Sequence, residues 1–420
     1  MTKRDMNIFI LSREYPPFTV GGTSTVARSL AEGISSISHK RVGVITNTTN
    51  HKNSYEVHNN LHIYRVANEE IYTSHSILSD TTLRSHHRIL KGAEYLVSKI
   101  GKPDIILLPD LFCLPEAKLI AKIYNCPIVN ILLQDFRKMI PYDRNEVHRV
   151  SNSIAANYQN LLDLEEKSLK MSDYNVFISH SISHSINESY KLNQNNQRVV
   201  YLGVYEEEMA PLPTKLYWEN RGKLASENEI LIVSCGRLVP VKGMDYLIKA
   251  MAKLKDKVSN VQLAIIGVGP ELPYLKELVE NLKLKDSVTF LGDISRKAAL
   301  NYFKVADIAV VPSIWESFCY VAAEFMAAGK PIVCTAVDSL NELIRDELDG
   351  IKIPVYENDG KRFLESEDIF QALLRFIKNP ELAKEMGENA RERAFSHFSN
   401  TKFVEGIMDV CNGLLVKQNI

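Results

Sequence analysis

Short apolar runs alternate with amphipathic stretches along most of this 420-residue chain. Residues 7–11, 42–46, 63–66, 105–108, 128–133 and 174–179 read as buried strands. Residues 23–37 and about 157–170 carry helical spacing between them. A second series follows at 230–234, 262–267, 288–291, 308–311 and 332–335, with an amphipathic run at 244–254. Strands that are apolar throughout, alternating with helices, predict parallel sheets covered on both faces. The polar, proline-containing stretch 211–228 between the two series reads as a linker. Beyond Ser399, the residues Val404, Ile407, Met408, Cys411, Leu414 and Leu415 share one face of a last helix.

The length allows two domains with full cores. No apolar stretch is long enough to span a bilayer, and the first residues are short and polar rather than signal-like. The six cysteines are scattered, and Cys235, Cys319 and Cys334 lie in or beside apolar runs, which reads as reduced core thiols. No Cys/His spacing suits zinc. These features imply a cytoplasmic protein. Net charge is −1 but uneven: 23 Lys and Arg against 19 Asp and Glu up to Tyr205, then 27 against 32. Ten of the eleven histidines fall in that first part. A solvated face explains so small an excess; an anionic acceptor or a membrane surface stays open. No basic stripe with interleaved aromatics is present, which excludes a nucleic-acid binder.

Three strand-to-helix turns of the second series carry the chemistry. In the first, an apolar strand runs into Gly236-Arg237, then Lys242-Gly243, then a helix. Glycine admits close backbone approach, arginine offers a planar fork for phosphate oxygens and lysine adds a point charge. In the second, a strand ends at Gly267-Val268-Gly269-Pro270, which departs from a dinucleotide fingerprint. In the third, a strand ends at Pro312, a loop carries Glu316, a helix begins near Phe318, and Glu324 sits about two turns into it. Carboxylates flanking a helix N-terminus suit a ligand with hydroxyls and phosphate. Two surface cations and two solvated glutamates are the plainer alternative.

Gly236-Arg237, Lys242-Gly243, Gly267-x-Gly269-Pro270 and Glu316-x7-Glu324, in this order and spacing, resemble retaining glycosyltransferase family 4. Tyr15-Pro16-Pro17 with Gly21-Gly22 matches that family's first loop, and Tyr201-Leu202-Gly203-Val204 sits where the family closes its first domain. The resemblance implies an α/β protein of the GT-B fold, two Rossmann-like domains facing each other across a cleft. Residues 1–205 would bind the acceptor and 206–399 the nucleotide sugar, with 400–420 crossing back to the first domain. It implies transfer of a sugar from a nucleotide-diphospho-sugar, a UDP-sugar first among them, without metal or other cofactor. The acceptor would be a hydroxyl of a glycan, a glycolipid or a small molecule.

By the same resemblance Arg237 and Lys242 hold the leaving diphosphate, helped by Gly236, Gly267, the Gly21-Gly22 loop and backbone groups of Ser317, Phe318, Cys319 and Tyr320. Glu316 takes donor-sugar hydroxyls, Glu324 the ribose, and the turn at Gly292-Asp293-Ile294 the base. The leaving phosphate deprotonates the acceptor, so no enzymic base is needed. Gln134 and Asp135 stand where the family commonly has His-Asp in its sugar pocket. Cys319 replaces a glycine, and Asp338-Ser339 replace two. These departures put the donor sugar in doubt and leave open a non-catalytic partner protein, with a phosphorylase or sugar-phosphate synthase on the same scaffold as the nearer rival. The histidine- and arginine-bearing region 72–99, with His75, Arg84, His86, His87, Arg88 and Lys91, is a candidate acceptor wall or a patch touching the inner membrane face.

Overall fold

The computed structural model describes residues 5–18, 22–67, 81–139 and 152–417. The chain divides into two compact units. The first is Met1–Leu202 with Asn400–Ile420, and the second is Gly203–Ser399.

The first unit is built on an eight-stranded sheet. Its strands are β1 (Met6–Leu11), β2 (Lys40–Thr48), β3 (Ser54–His58), β4 (Leu61–Ala67), β5 (Ile105–Leu108), β6 (Ile128–Leu132), β7 (Tyr174–Phe177) and β8 (Gln197–Val199), in the order β3-β4-β2-β1-β5-β6-β7-β8. All pairings are parallel except β3 on β4. The described residues interleave the helices α1 (Gly22–Ser35), α2 (Thr81–Ile100), α3 (Leu114–Tyr124), α4 (Phe136–Met139), α5 (Asn152–Met171) and α6 (His180–Tyr190). The strand expected over 174–179 stops at Phe177, because Ser179 is spent as the cap of α6, its hydroxyl accepting from the Ile182 amide at 3.2 Å. The edge strand β3 was not anticipated: it is largely exposed, so its sequence lacks an apolar run.

The second unit carries six parallel strands, β9 (Ile230–Cys235), β10 (Val261–Ile266), β11 (Val288–Gly292), β12 (Ile308–Val311), β13 (Ile332–Thr335) and β14 (Gly350–Ile353), in the order β11-β10-β9-β12-β13-β14. A small hairpin, β15 (Tyr356–Asn358) with β16 (Lys361–Phe363), follows. Its helices are α7 (Thr214–Arg221), α8 (Met244–Lys255), α9 (Leu272–Asn281), α10 (Arg296–Val305), α11 (Tyr320–Ala327), α12 (Leu340–Leu343), α13 (Ser366–Lys378) and α14 (Pro380–His397). Ile232, Leu263, Ile265, Val310 and Val333 of the sheet form one core with Leu247, Met251 and Leu254 of α8 and Leu373 and Phe376 of α13.

The stretch 211–228 is not a linker. It lies inside the second unit and folds as α7, whose Arg221 is buried, donating to Asp307 at 2.8 and 3.2 Å and to the Val305 and Glu229 carbonyls. A buried arginine paired in this way anchors a helix that has little apolar surface of its own.

The last helix, α15 (Asn400–Lys417), belongs to the first unit and packs on α1. Val404, Ile407, Met408 and Cys411 are buried as the periodicity predicts, joined by Phe403 and Val410, while Leu414 and Leu415 are only half-buried. The two helices meet at Gly33, where a Cβ would stand 2.4 Å from Val404 Cγ2. The missing side chain at Gly33 leaves the space that the Val404 side chain fills.

All six cysteines are free, and five are buried. No helix among the described residues is long and apolar enough to cross a membrane.

Candidate active site

In an open parallel sheet, the crevice lies where consecutive connections leave in opposite directions. In the second unit β9 leads to β10 on one side, while β12 leads to β13 on the other, so the switch falls between β9 and β12. The loops leaving these two strands carry Gly236, Arg237 and Lys242 on one side and Ser313 and Glu316 on the other. The topology therefore gathers residues that lie far apart in sequence.

Lys242 ends a 3-10 turn, Pro240–Lys242, and its ammonium donates to Glu316 Oε1 at 2.5 Å. The same oxygen accepts from Ser313 Oγ at 2.7 Å. Glu316 is buried, its amide donates to Asp338 Oδ2 at 3.3 Å, and its carbonyl accepts from Ser339 Oγ at 3.2 Å. The next residue after Lys242 is Gly243, with φ +63°; a Cβ there would lie 2.1 Å from the Pro312 carbonyl. This tight contact draws the β9 loop onto the β12 loop and brings Lys242 to Glu316. Arg237 is exposed, and no described carboxylate pairs with it. Gly236 and Gly267 pack backbone to backbone behind it, the Gly236 amide donating to Ile266 and the Gly267 amide to Gly292.

The helix carrying the second glutamate starts at Tyr320, not near Phe318. Cys319, with φ 70°, turns the chain in the left-handed region, so α11 cannot begin before it. Glu324 is consequently one turn into the helix rather than two. No side chain caps α11, which leaves its first amides directed at whatever lies before them. Glu324 is buried and its Oε1 accepts from Arg296 Nη1. Burial pushes its carboxyl up from the ordinary range, and the Arg296 guanidinium opposes that rise. Phe318 is buried against Tyr320 and Phe398 at ring distances of 5.5 and 6.3 Å. Ser317 and Ile294 are half-buried, and Gly292, at φ +68°, closes β11.

Of the three positions that depart from glycine, two keep a backbone suited to it, with φ 70° at Cys319 and 37° at Asp338, while Ser339 is right-handed at φ −66°. The Asp338 carboxylate supports the Glu316 amide and pairs with Arg362 of β16 at 3.5 Å. Burial raises the Cys319 thiol pKa well above the ordinary thiol value, and the neighbouring Glu316 charge adds to the rise. The substitutions thus keep the loop shape and add polar contacts around Glu316.

In the first unit, Gly22 is the exposed first residue of α1, and Gly21 lies outside the described residues. Gln134 is half-buried in the turn after β6. Asp135 is buried; its Oδ1 accepts from the Arg137 amide at 2.9 Å and its Oδ2 from Ser185 Oγ. Both its oxygens are thereby engaged within the protein. Beside it, buried Glu165 accepts from the Phe136 amide and from Tyr190 Oη at 2.9 and 2.8 Å. Burial pushes its carboxyl up to about 7, against the pull of these donors. Of the region 72–99, residues up to 80 and the side chains up to His87 lie outside the described residues; Arg88 donates to the Ala67 carbonyl at 2.9 Å.

Sequence reasoning missed Arg296, Glu208, Ser313 and Arg362. Only Arg296 offered a faint signal, standing two residues beyond the expected base-binding turn.

Residues 217–393 match the family described as Glycosyl transferases group 1. This span includes Arg237, Lys242, Arg296, Glu316 and Glu324. The match lies within the second unit. An uncharacterised glycosyltransferase of Methanocaldococcus jannaschii is 28% identical over 360 residues, 82% of this chain and 84% of that one. Among solved structures, sucrose-phosphate synthase from Thermosynechococcus elongatus superposes with a TM-score of 0.80 at 20% identity, over 98% of this chain and 100% of that one. Anabaena HepE in complex with UDP-glucose gives 0.70 at 17% identity, over 97% and 100%. At these identities the likeness establishes the fold, two Rossmann-like units of the GT-B glycosyltransferases. Within this fold, the β9–β12 crevice, which lies inside the matched span, is the candidate active site.

Proposed function

We propose that this protein transfers a sugar, with retention, from a nucleotide-diphospho-sugar to a hydroxyl acceptor, and that the β9–β12 crevice binds the donor. The observation that carries this reading is the Lys242–Glu316 ion pair at that crevice, on the loop that also carries Arg237, with an uncapped helix N-terminus following Glu316.

Breaking an anomeric C–O bond puts positive charge on the sugar ring and negative charge on the departing diphosphate. Arg237 has no carboxylate partner among the described residues and presents a planar fork for phosphate oxygens. Lys242 adds a second cation, and its bond to Glu316 orients both before a donor arrives. The first amides of α11 add N–H groups and the positive end of a helix dipole. Because the phosphate charge is largest in the transition state, these groups act mainly on turnover. Glu316 accepts from hydroxyls of the donor sugar. Glu324 accepts from the ribose diol, and the turn at Gly292-Asp293-Ile294 holds the base. The departing phosphate takes the acceptor proton on the same face, which accounts for retention without an enzymic nucleophile. A UDP-sugar is the favoured donor, supported by the UDP-glucose bound to a neighbour of the same fold. The acceptor is a glycan, glycolipid or small-molecule hydroxyl. Reaction without added metal at a cytoplasmic location completes the reading, with contact at the inner membrane face retained as an option for a lipid acceptor.

Thermal denaturation with UDP-, GDP-, ADP- and dTDP-sugars tests it, since a ligand of the folded state raises Tm. One nucleotide series is expected to stabilise the protein, with the shift unchanged by EDTA and lost in Glu324→Ala. No shift with any series, or a shift that survives Glu324→Ala, would overturn the assignment.

A further inference from the structure

Glu324 is not alone in its pocket. Arg296, the first residue of α10, donates Nη1 to Glu324 Oε1, while its Nε and Nη2 reach Glu208 Oε2 at 3.2 and 3.0 Å. Glu208 comes from the 3-10 turn Glu207–Met209 at the start of the same unit. One guanidinium thus bridges two carboxylates from two different elements. Its own helix is fixed by Ser295, whose hydroxyl accepts from the Ala298 amide at 3.3 Å, and by a tilted contact of Phe303 with Phe325 of α11, centroids 4.2 Å apart. Glu324 Oε2 has no partner among the described residues.

This asymmetry has a consequence for a diol. Two vicinal hydroxyls are held most firmly by a carboxylate that is ionised and fixed in one rotamer. Burial works against ionisation, and a buried carboxylate without a cation nearby takes up a proton. We propose that Arg296 is a positioning residue for the donor's ribose: it fixes Glu324 through one oxygen and keeps it charged, leaving the other oxygen to receive the diol. Glu208 holds the far side of the guanidinium and so sets its angle. This inference rests on the reading of Glu324 as the ribose-binding group and adds the means by which that group is kept competent. The remaining titratable groups facing the cluster are Cys235 of β9, whose thiol burial holds in its neutral form at about 12, and Lys304 of α10, which faces Glu208 and has a lowered pKa. Neither offers Glu324 a replacement cation.

The test is calorimetric binding of UDP, GDP and ADP and their 2′-deoxy forms to the full chain. Wild type is expected to bind one ribonucleoside diphosphate at least tenfold more tightly than its deoxy form. Arg296→Met is expected to lose that preference, and to lose affinity more steeply than wild type as pH falls from 8 to 6. Arg296→Lys should restore part of both. Because Arg296→Met leaves Glu324 buried without a partner and threatens the fold, Arg296→Met/Glu324→Gln supplies the second arm. If Arg296 acts only through Glu324, this double variant binds as Glu324→Gln alone does. A double variant weaker than Glu324→Gln by the factor seen in the wild-type background would overturn the proposal, because Arg296 would then touch the ligand itself. So would an Arg296→Met protein with an unchanged ribose preference, or one that binds more tightly than wild type. Absence of any nucleotide binding by wild type contradicts the donor-site reading instead, and so separates the two failures.

Discussion

The two units have the same kind of sheet and spend their crevice charges differently. In the first unit the switch point lies between β1 and β5. There Arg13, which follows β1, and Asp110, which follows β5, satisfy each other: the Arg13 amide and Nε both donate to Asp110 Oδ2 at 2.9 Å, and the guanidinium lies 3.7 Å over the Phe112 ring. In the second unit the equivalent position after β9 holds Arg237, exposed and without a carboxylate partner among the described residues. One arginine stitches two loops together, and the other is left to an incoming anion. The topology creates a crevice in both units, but the pairing of its charges decides whether that crevice is ready for a ligand.

The largest effects are expected where charge is available. Arg237→Ala and Glu316→Gln should lower transfer, or donor hydrolysis where no acceptor is supplied, by about 10²-fold or more, the scale seen on removing one transition-state contact. Circular dichroism and Tm of Arg237→Ala should stay near wild type, because an exposed side chain contributes little to the fold. Wild-type turnover in both variants would break the comparison at its root.

In the first unit the effects should appear as stability. Glu165 has its carboxyl raised to about 7 in the fold, so the folded state holds a proton that the unfolded chain has released above the ordinary carboxyl range. Stability from that proton is present at low pH and is lost as pH rises through about 7. The shift corresponds to roughly 3 kcal/mol. Glu165→Gln should therefore gain stability relative to wild type between pH 5 and pH 8, measured by urea denaturation at each pH. A difference that is flat with pH would contradict the assignment. Arg13→Ala leaves the buried Asp110 carboxylate with backbone donors only and should cost about 2 kcal/mol without changing nucleotide affinity. The smallest effect belongs to Cys319→Gly. Relief of a left-handed backbone offsets the loss of a small buried side chain, so its stability should stay within about 1 kcal/mol of wild type.

Much of the fold was legible because it depends on continuous apolar strands. β1, β5, β9, β12 and β13 lie where the hydrophobic runs put them. Elements held by polar pairing left no such trace: α7 read as a linker because its anchor, Arg221, finds Asp307 86 residues away. The site was legible where backbone constraint shows as glycine, as at Gly243 drawing Lys242 to Glu316. It was illegible where a side chain works through a tertiary partner. Nothing in sequence marks Arg296 as the cation on Glu324, or Asp338 as the carboxylate behind the Glu316 amide. The Cys319 backbone also displaced the start of α11, which only the left-handed φ explains.

The central claim is that the second unit's crevice holds the diphosphate while the first unit's arginine is structural. Isothermal titration of the nucleoside diphosphate that stabilises wild type, repeated on Arg237→Ala and Arg13→Ala, tests it most directly. The account predicts a Kd at least tenfold weaker for Arg237→Ala, with Arg13→Ala keeping the wild-type Kd at a lower Tm. Unchanged binding in Arg237→Ala, or a Kd that follows Arg13 instead, would contradict it.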